Sequence, residues 1–552
     1  MRAKEPHSTD SSPRRVKRIR TRSNAATALR YSLLLSVVGV GIGAAGIGIW
    51  HGRYVGYAHS VAPPERSVDV DSILNRLPLD ALAETAQDRD HERILLITLD
   101  TIRTDHLSTY GYPLPTSPFL DALAEQSVVF DRAYTPMSTT VPAHVSIFSA
   151  LYPIEHGVTR NGLSLVDQIS TLPEVLSRLG FTTAAVVSTG LFSGSNMSQG
   201  FDVFEEPSRA ELQGRRDQVL VAEEEPLPYR PAEQTLAVAL DVLAELRDAE
   251  RSFLWIHLYD PHLPYVQRRE EQALLGSSPS VDGESFRRLV EGLHHASLDD
   301  EELAWVLAYD AEVLYMDQEL GAFFARAGEH EVDDYLTVIV GDHGEGLGSH
   351  DWWDHGKHVY EEQRKVPLLV RWPAHRHVGR VDAVVEILDI MPTILWAVGA
   401  QPDALADRAL PVEGLPLQWL LEGRLGAEAF SAALVQRRTY TRPNPLGILR
   451  SRLADRFGME RQFNQFEEGE RFVLVRNDSA YVHSTVHEDE LFDLRIDPGE
   501  TDNRCCTGSG LEKQLRAELL SVLADLSRFP APGERIVDPD TLKQLRALGY
   551  IQ

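Results

Sequence analysis

The clearest hydrophobic pattern is a short continuous run, Ile94-Leu95-Leu96-Ile97-Thr98-Leu99, that stops on Asp100. A second run, Leu336-Thr337-Val338-Ile339-Val340, stops on Gly341-Asp342-His343-Gly344. Runs of this length, rich in branched residues and closed by turn residues, predict buried strands. Residues 183–187, 253–258 and 367–372 read the same way, and helical stretches alternate with them at 117–125, 172–179, 233–246 and 305–327. This alternation predicts an α/β domain over residues 91–425, with a mostly parallel sheet covered by helices on both faces. The polar segment 267–300 reads as a surface insertion carrying one or two helices. The pattern then changes: 471–475 and 479–483 predict short antiparallel strands split by Asn477-Asp478, and 511–526 predicts a helix. Residues 426–552 therefore read as a smaller α+β C-terminal subdomain.

Charge changes the picture at the other end. The chain of 552 residues carries a net charge of −28, yet residues 1–30 hold nine Lys/Arg against two Asp/Glu. An acidic body argues against nucleic acid as a partner. Directly after the basic patch, residues 32–50 contain no charge, and such a length can cross a hydrocarbon core of ~30 Å. Arg30 and Tyr31 flank one end, and Trp50, His51 and Arg53 the other. The expectation is a basic cytoplasmic segment (1–30), a single transmembrane helix (31–50) and a linker (51–90), with the N-terminus in the cytoplasm and the α/β domain extracytoplasmic, or periplasmic. A cleaved signal peptide is the competing reading, which the long basic region and the full-length apolar stretch disfavour. The only cysteines are the adjacent pair Cys505-Cys506, so neither a disulfide framework nor a cysteine metal site is implied.

Candidate chemistry sits at the ends of the runs. An Asp at the carboxyl end of a buried strand in an α/β sheet faces the crevice where ligands bind. Asp100 and Asp342 fit that position, and His343 adds a nitrogen, so the three could hold one divalent cation. Carboxylates suit Ca²⁺ or Mg²⁺, while the imidazole admits Mn²⁺ or Zn²⁺. Either motif alone reads as a capped turn; together, each after an apolar run, they read as a site. Between them, Thr139-Thr140-Val141-Pro142-Ala143-His144 places a hydroxyl at the start of a helix, with Pro142 in its first turn. The amide groups and dipole there favour an anion, and a nearby cation would activate the Thr140 hydroxyl. Thr-x-Pro alone would more often be a plain N-cap. The glycine-spaced stretch from His343 onward adds His350, His355, Lys357 and His358; Lys357 could bind an anionic ester and His355 could protonate a leaving group. In Asp260-Pro261-His262, His262 could face the site while Asp260 shapes the turn.

These motifs together resemble the sulfatase branch of the alkaline phosphatase superfamily. The resemblance is carried by Asp100-Thr101-Ile102-Arg103-Thr104-Asp105, by Val141-Pro142-Ala143-His144 through His156-Gly157-Val158, and by Asp342-His343-Gly344-Glu345. Lys365-Val366-Pro367-Leu368-Leu369-Val370 and the tail signatures around Glu490-Leu491-Phe492-Asp493 and Leu548-Gly549-Tyr550 extend it. It implies an alkaline phosphatase-like large mixed sheet flanked by helices, with one divalent metal held by Asp100, Thr140, Asp342 and His343. His144 falls in the catalytic block, and His262, His355 and Lys357 would handle the substrate anion and leaving group.

The departures from that pattern are chemical. Sulfatases carry Cys or Ser, oxidised to formylglycine, where this chain has Thr140, and Arg where it has His144. Thr101 replaces a second Asp, and His343 replaces an Asn. Oxidation of a threonine at Cβ cannot give an aldehyde, so the aldehyde-hydrate route to sulfate esters is closed. One Asp with an Asp-His pair is closer to phosphonate monoester hydrolases, and the threonine to membrane-bound enzymes that transfer phosphoethanolamine or glycerol phosphate. The expected activity is metal-dependent hydrolysis of sulfuric or phosphoric esters, with phosphate or phosphonate preferred. The alternatives are transfer of the phosphoryl group to a lipid or glycan, and a non-catalytic binding protein on the same fold.

Overall fold

The structure is a computed structural model and describes residues 91–207, 229–276, 283–328, 332–400, 414–437 and 469–526. The expected transmembrane helix, the basic segment and the linker lie outside the described residues. Among the described residues, no helix is long and apolar enough to cross a membrane.

Eight strands form the main sheet: β1 Arg93–Leu99, β2 Val128–Tyr134, β3 Thr182–Val187, β4 Val203–Glu205, β5 Ser252–Leu258, β6 Leu336–Gly341, β7 Lys365–Arg371 and β8 Gly379–Glu386. Their order is β4-β3-β5-β1-β6-β7-β2-β8. The sheet is mixed. β1 runs parallel to both β5 and β6, whereas β7 runs antiparallel to β6 and to β2. The return from β6 to β7 is a loop with short helical turns and no long crossover helix, which permits the antiparallel pairing.

Alternation along β1 divides the core. Ile94 and Leu96 join one buried cluster with Val141, Val145 and Phe148. Leu95, Ile97 and Leu99 join another on the opposite face, with Leu236, Leu243, Met316 and Leu320. Both faces of a central strand are thus covered, as its unbroken apolar run demands. The helices concerned are α1 Thr140–Ser149, α2 Ala232–Leu246 and α4 Asp300–Ala327, while α3 Gly283–His294 buries Phe286 and Val290 in a separate cluster with the first half of α4. Helix α4 begins five residues ahead of its predicted start. Asp299 caps it by accepting from the Glu301 and Glu302 amides, and Glu302 accepts in return from the Asp299 amide. The acidic first turn lacks apolar periodicity but suits the positive end of a helix.

The second sheet contains β9 Ala432–Gln436, β10 Arg471–Arg476, β11 Ser479–Ser484 and β12 Glu490–Asp493, all antiparallel, in the order β12-β11-β10-β9. Asn477, at φ 50°, makes the tight turn between β10 and β11. Helix α5, Gly510–Asp525, buries Leu515 and Leu519 against this sheet's Leu474 and Tyr481. The fully buried Arg364 clamps Glu500 with two bonds, at 2.8 and 3.0 Å.

Candidate active site

The register of the central strands assembles the site. Leu99 of β1 pairs with Leu258 of β5 and with Gly341 of β6, so Asp100 and Asp342 leave the sheet side by side. The amide of Asp100 donates to Leu258 O at 2.9 Å and that of Asp342 to Leu99 O at 3.1 Å. Thr101, next in line, takes the left-handed conformation at φ 51°, a strained state for a β-branched residue. That turn sends its amide to Asp342 Oδ1 at 3.2 Å, and His343 N donates to the same oxygen at 2.7 Å. The His343 ring is set in turn: Nδ1–H donates to Gly344 O at 2.9 Å. A carbonyl can only accept, so in the neutral ring Nε2 presents its lone pair. It lies 3.8 Å from Asp100 Oδ1 and 3.7 Å from Asp342 Oδ2.

Thr140 begins the fully buried α1, capped by Thr139 in an extended conformation. Its hydroxyl is 3.5 Å from Asp100 Oδ2 and 3.4 Å from His343 Nε2. The expectation of a free amide row at this helix start needs correcting. The Val141 amide is taken by Asn161 Oδ1 at 2.9 Å, Pro142 has none, and Ala143 N bonds Thr139 O at 3.1 Å. What faces the Asp100–Asp342 edge is the hydroxyl of Thr140.

The donor set fits a divalent cation. Asp100 Oδ1 and Asp342 Oδ2 are buried and have no hydrogen-bond partner, a costly state for two adjacent carboxylates. The separations around Thr140 and His343 are long for hydrogen bonds, but ligands held at ~2.1 Å in a tetrahedral shell lie roughly 3.4 Å apart. Asp100, Asp342 and His343 offer ligand atoms within 4.8 Å of one another. Burial, then the charges of Asp342 and Glu345, pushes the Asp100 carboxyl well above its ordinary range. Burial does the same to Asp342, and holds His343 well below the usual imidazole value. A cation among them would offset all three effects.

A histidine group adjoins this edge. The ring centroids of His343 and His355 are 4.5 Å apart, and those of His355 and His262 5.0 Å. His355 Nδ1 lies 3.4 Å from Glu345 Oε1 and 3.2 Å from Asp354 Oδ1. These three residues form a second cluster of possible ligand atoms. His262 stacks on Tyr259 at 4.3 Å and donates from Nδ1 to Leu263 O at 2.6 Å. Burial lowers its pKa to about 3, so His262 presents a neutral, accepting Nε2. Asp260 takes the Ala232 amide at 3.0 Å and pairs with Arg268, which is a structural role in the turn. Lys357 extends its ammonium over the Trp352 ring at 4.2 Å. His144 is buried in α1 with both ring nitrogens engaged: Nδ1 with Thr140 O at 2.7 Å and Nε2 with Thr98 Oγ1 at 2.9 Å.

A family model for sulfatases matches residues 92–400. The chain belongs to the sulfatase family. It is an ester hydrolase of the alkaline phosphatase superfamily type, and its relatives are distant. An arylsulfatase of Clostridium perfringens is 22% identical over 468 residues, covering 74% of this chain and 89% of its own length. A multifunctional alkaline phosphatase superfamily protein, PehA of Trinickia caryophylli, is 25% identical over 409 residues, covering 60% of this chain and 79% of its own. Among solved structures, a phosphonate monoester hydrolase of Agrobacterium radiobacter superposes with a TM-score of 0.58 at 21% identity, covering 79% of this chain and 96% of that one. At that identity the likeness establishes the fold.

Within this sulfatase-family site, the motif reading passed over several residues that the structure brings in. His257 Nε2 lies 3.4 Å from Asp100 Oδ2, and Thr98 and Asn161 bond to residues of the nucleophile block. Glu345 and Asp354 flank His355. Thr98 and His257 carried a signal: each is a polar residue inside an apolar strand, and the register sets them opposite one another.

Proposed function

We propose that this chain is a metal-dependent hydrolase of anionic phosphate or phosphonate esters, within the wider class of sulfuric and phosphoric esters, using the Thr140 hydroxyl as nucleophile. The observation that carries this reading is the meeting of Thr140 Oγ1 with Asp100 and His343 at 3.5 and 3.4 Å, beside the partnerless oxygens of Asp100 and Asp342. Asp100, Asp342 and His343, with Thr140 at their edge, would hold one divalent cation (Ca²⁺, Mn²⁺, Mg²⁺ or Zn²⁺), which supplies positive charge to the ester oxygens and lowers the proton affinity of the nucleophile.

The residues divide the remaining work. Thr140 Oγ1 forms a bond to phosphorus as the ester P–O bond breaks, and its proton passes to Asp100 Oδ2, the neighbouring acceptor at 3.5 Å. His355, oriented by Glu345 and Asp354, is placed to give a proton to the leaving oxygen. Water then cleaves the phospho-threonine bond and returns the hydroxyl. Lys357 is proposed to meet the substrate's anionic group as it enters, and His262 to hold the His355 ring, which it meets edge-on at 5.0 Å. The relatives, an arylsulfatase and a phosphonate monoester hydrolase by name, bracket the substrate class. Threonine chemistry favours phosphorus, because Thr140 cannot become an aldehyde.

The test is turnover of aryl sulfate, phosphate monoester, phosphodiester and phosphonate by the full chain with each cation added. Phosphorus esters should dominate, and mass analysis should find Thr140 unmodified. A rate confined to aryl sulfate would refute the reading. We also propose that residues 32–50 anchor the enzyme in a membrane, on the length and flanks of that apolar stretch. Loss of the enzyme from carbonate-washed membranes would refute the anchor. The same stretch keeps a phosphoryl transferase in view, and transfer to an added lipid or sugar alcohol in preference to water would favour it.

A further inference from the structure

Thr98 lies on the same face of β1 as Ile94 and Leu96, the face covered by α1. Three groups converge on its hydroxyl. Trp255 Nε1 lies at 3.0 Å, His257 Nδ1 at 3.0 Å and His144 Nε2 at 2.9 Å. Thr98, His144 and His257 are all fully buried, so no solvent completes their bonding.

The hydrogens in this network can be assigned from valence alone. Trp255 Nε1 only donates, so Thr98 Oγ1 accepts from it. His144 Nδ1 faces a carbonyl, Thr140 O at 2.7 Å, and must donate to it. In a neutral ring, Nε2 of His144 is then bare and takes the single hydrogen of Thr98. His257 Nδ1 must therefore donate to Thr98, which leaves His257 Nε2 bare. That nitrogen has no hydrogen-bond partner and stands 3.4 Å from Asp100 Oδ2. A bare nitrogen and a carboxylate oxygen repel at that range. Held by Thr98, His257 packs directly against Asp100 and bounds the space its carboxylate occupies.

Hydrogen bonds run from the backbone of Thr140 through His144 and Thr98 to His257, whose ring packs against Asp100, a proposed cation ligand. We infer that Thr98 is the positioning residue that locks Thr140 and Asp100 into one geometry, acting through His144 on one side and His257 on the other. None of the three touches the substrate in this scheme. Their service is to fix the first turn of α1 against the tip of β1. Outer-shell groups of this kind commonly control metal affinity and rate by ten- to a hundred-fold. The inference rests on the proposed cation site, and its test separates the two.

The measurement is Mn²⁺ binding to the full, metal-free chain by calorimetry, read without substrate, followed by kcat and KM on a phosphonate monoester. Thr98→Val keeps the shape and removes the hydroxyl. A ten- to hundred-fold weaker Mn²⁺ isotherm and a similar fall in kcat are expected, with KM within about threefold. Thr98→Ser should restore both to within about threefold. Wild-type affinity and kcat in Thr98→Val would overturn the inference while leaving the cation site intact. Absence of Mn²⁺ binding by the wild-type chain would overturn both. Should Thr98→Val lose its cooperative melt, His257→Asn serves instead: it keeps a donor toward Thr98 and removes Nε2. An affinity loss of at least tenfold is expected there too, and an unchanged isotherm would overturn the inference.

Discussion

Replacing Asp342 by Asn should move stability in opposite directions with and without metal. Two buried carboxylates lie at the ends of neighbouring strands, and each has an oxygen without a partner. Asp342→Asn keeps the oxygen that accepts from the Thr101 and His343 amides. The other oxygen becomes an amino group facing Asp100 and the bare Nε2 of His343. Repulsion is exchanged for a hydrogen-bond donor, so the metal-free variant should gain on the order of 2 kcal/mol over metal-free wild type. Saturation of the wild type at a hundred times its dissociation constant adds about 2.7 kcal/mol, roughly 2–3 °C in a chain of this size. The variant should lose most of that increment. Thermal melts of both proteins, in chelator and in Mn²⁺, give the four values needed. A metal-free variant less stable than metal-free wild type would refute the account of strain between the carboxylates. A retained metal shift would refute the assignment of Asp342 as a ligand.

Other tests are independent of that cycle. Thr140→Ala should lower kcat by at least about 10³-fold with an unchanged melt, and surviving turnover would remove the nucleophile. Gly344→Ala would set a Cβ 2.0 Å from Glu362 O; the His343 loop must then shift, and both phosphonatase rate and Mn²⁺ affinity should fall at least tenfold, as kinetics and calorimetry will show. The buried Asp317 accepts from the Phe119 and Leu120 amides, and burial raises its carboxyl to about 7 from an ordinary 3.8. A raised acid holds its proton more tightly in the folded state. Its contribution is therefore full below pH 4 and declines as pH rises toward 7, and Asp317→Asn should flatten that part of the denaturant-midpoint profile.

Much of the candidate site was legible because its proposed ligands follow strands whose apolar runs are uninterrupted. Asp100 and Asp342 needed only the rule that strand ends point into the crevice. The mixed direction of the sheet was less visible: β7 reads as apolar whichever way it runs, and its orientation follows from the loop before it. β2 was missed because Asp131 and Arg132 interrupt its apolar face. The amide row of α1 was misread for want of one residue, since Asn161 arrives from a loop twenty positions downstream. Likewise, nothing in Thr98 or His257 alone distinguishes them from ordinary polar residues in a core. Their meaning appears only when β1 and β5 are placed in register.

The two departures of the nucleophile block then have one explanation. An Arg at position 144 would carry a permanent charge into a fully buried helix position. His144, whose pKa burial lowers to about 4, is neutral there and can donate to the nucleophile's carbonyl while accepting from Thr98. A neutral tether suits the proposed nucleophile, which needs no oxidation: Thr140 would only have to be held still and relieved of a proton. The pairing predicts that the positions change together. His144→Arg alone should force a larger, permanently charged group among Thr98, Trp255 and Asp342, whose Oδ2 lies 3.7 Å from the present ring, and should destabilise the fold by about 1–3 kcal/mol. If that variant melted like the wild type and kept its phosphonatase rate, the case for a neutral tether at position 144 would fail, and the histidine would be a passive replacement.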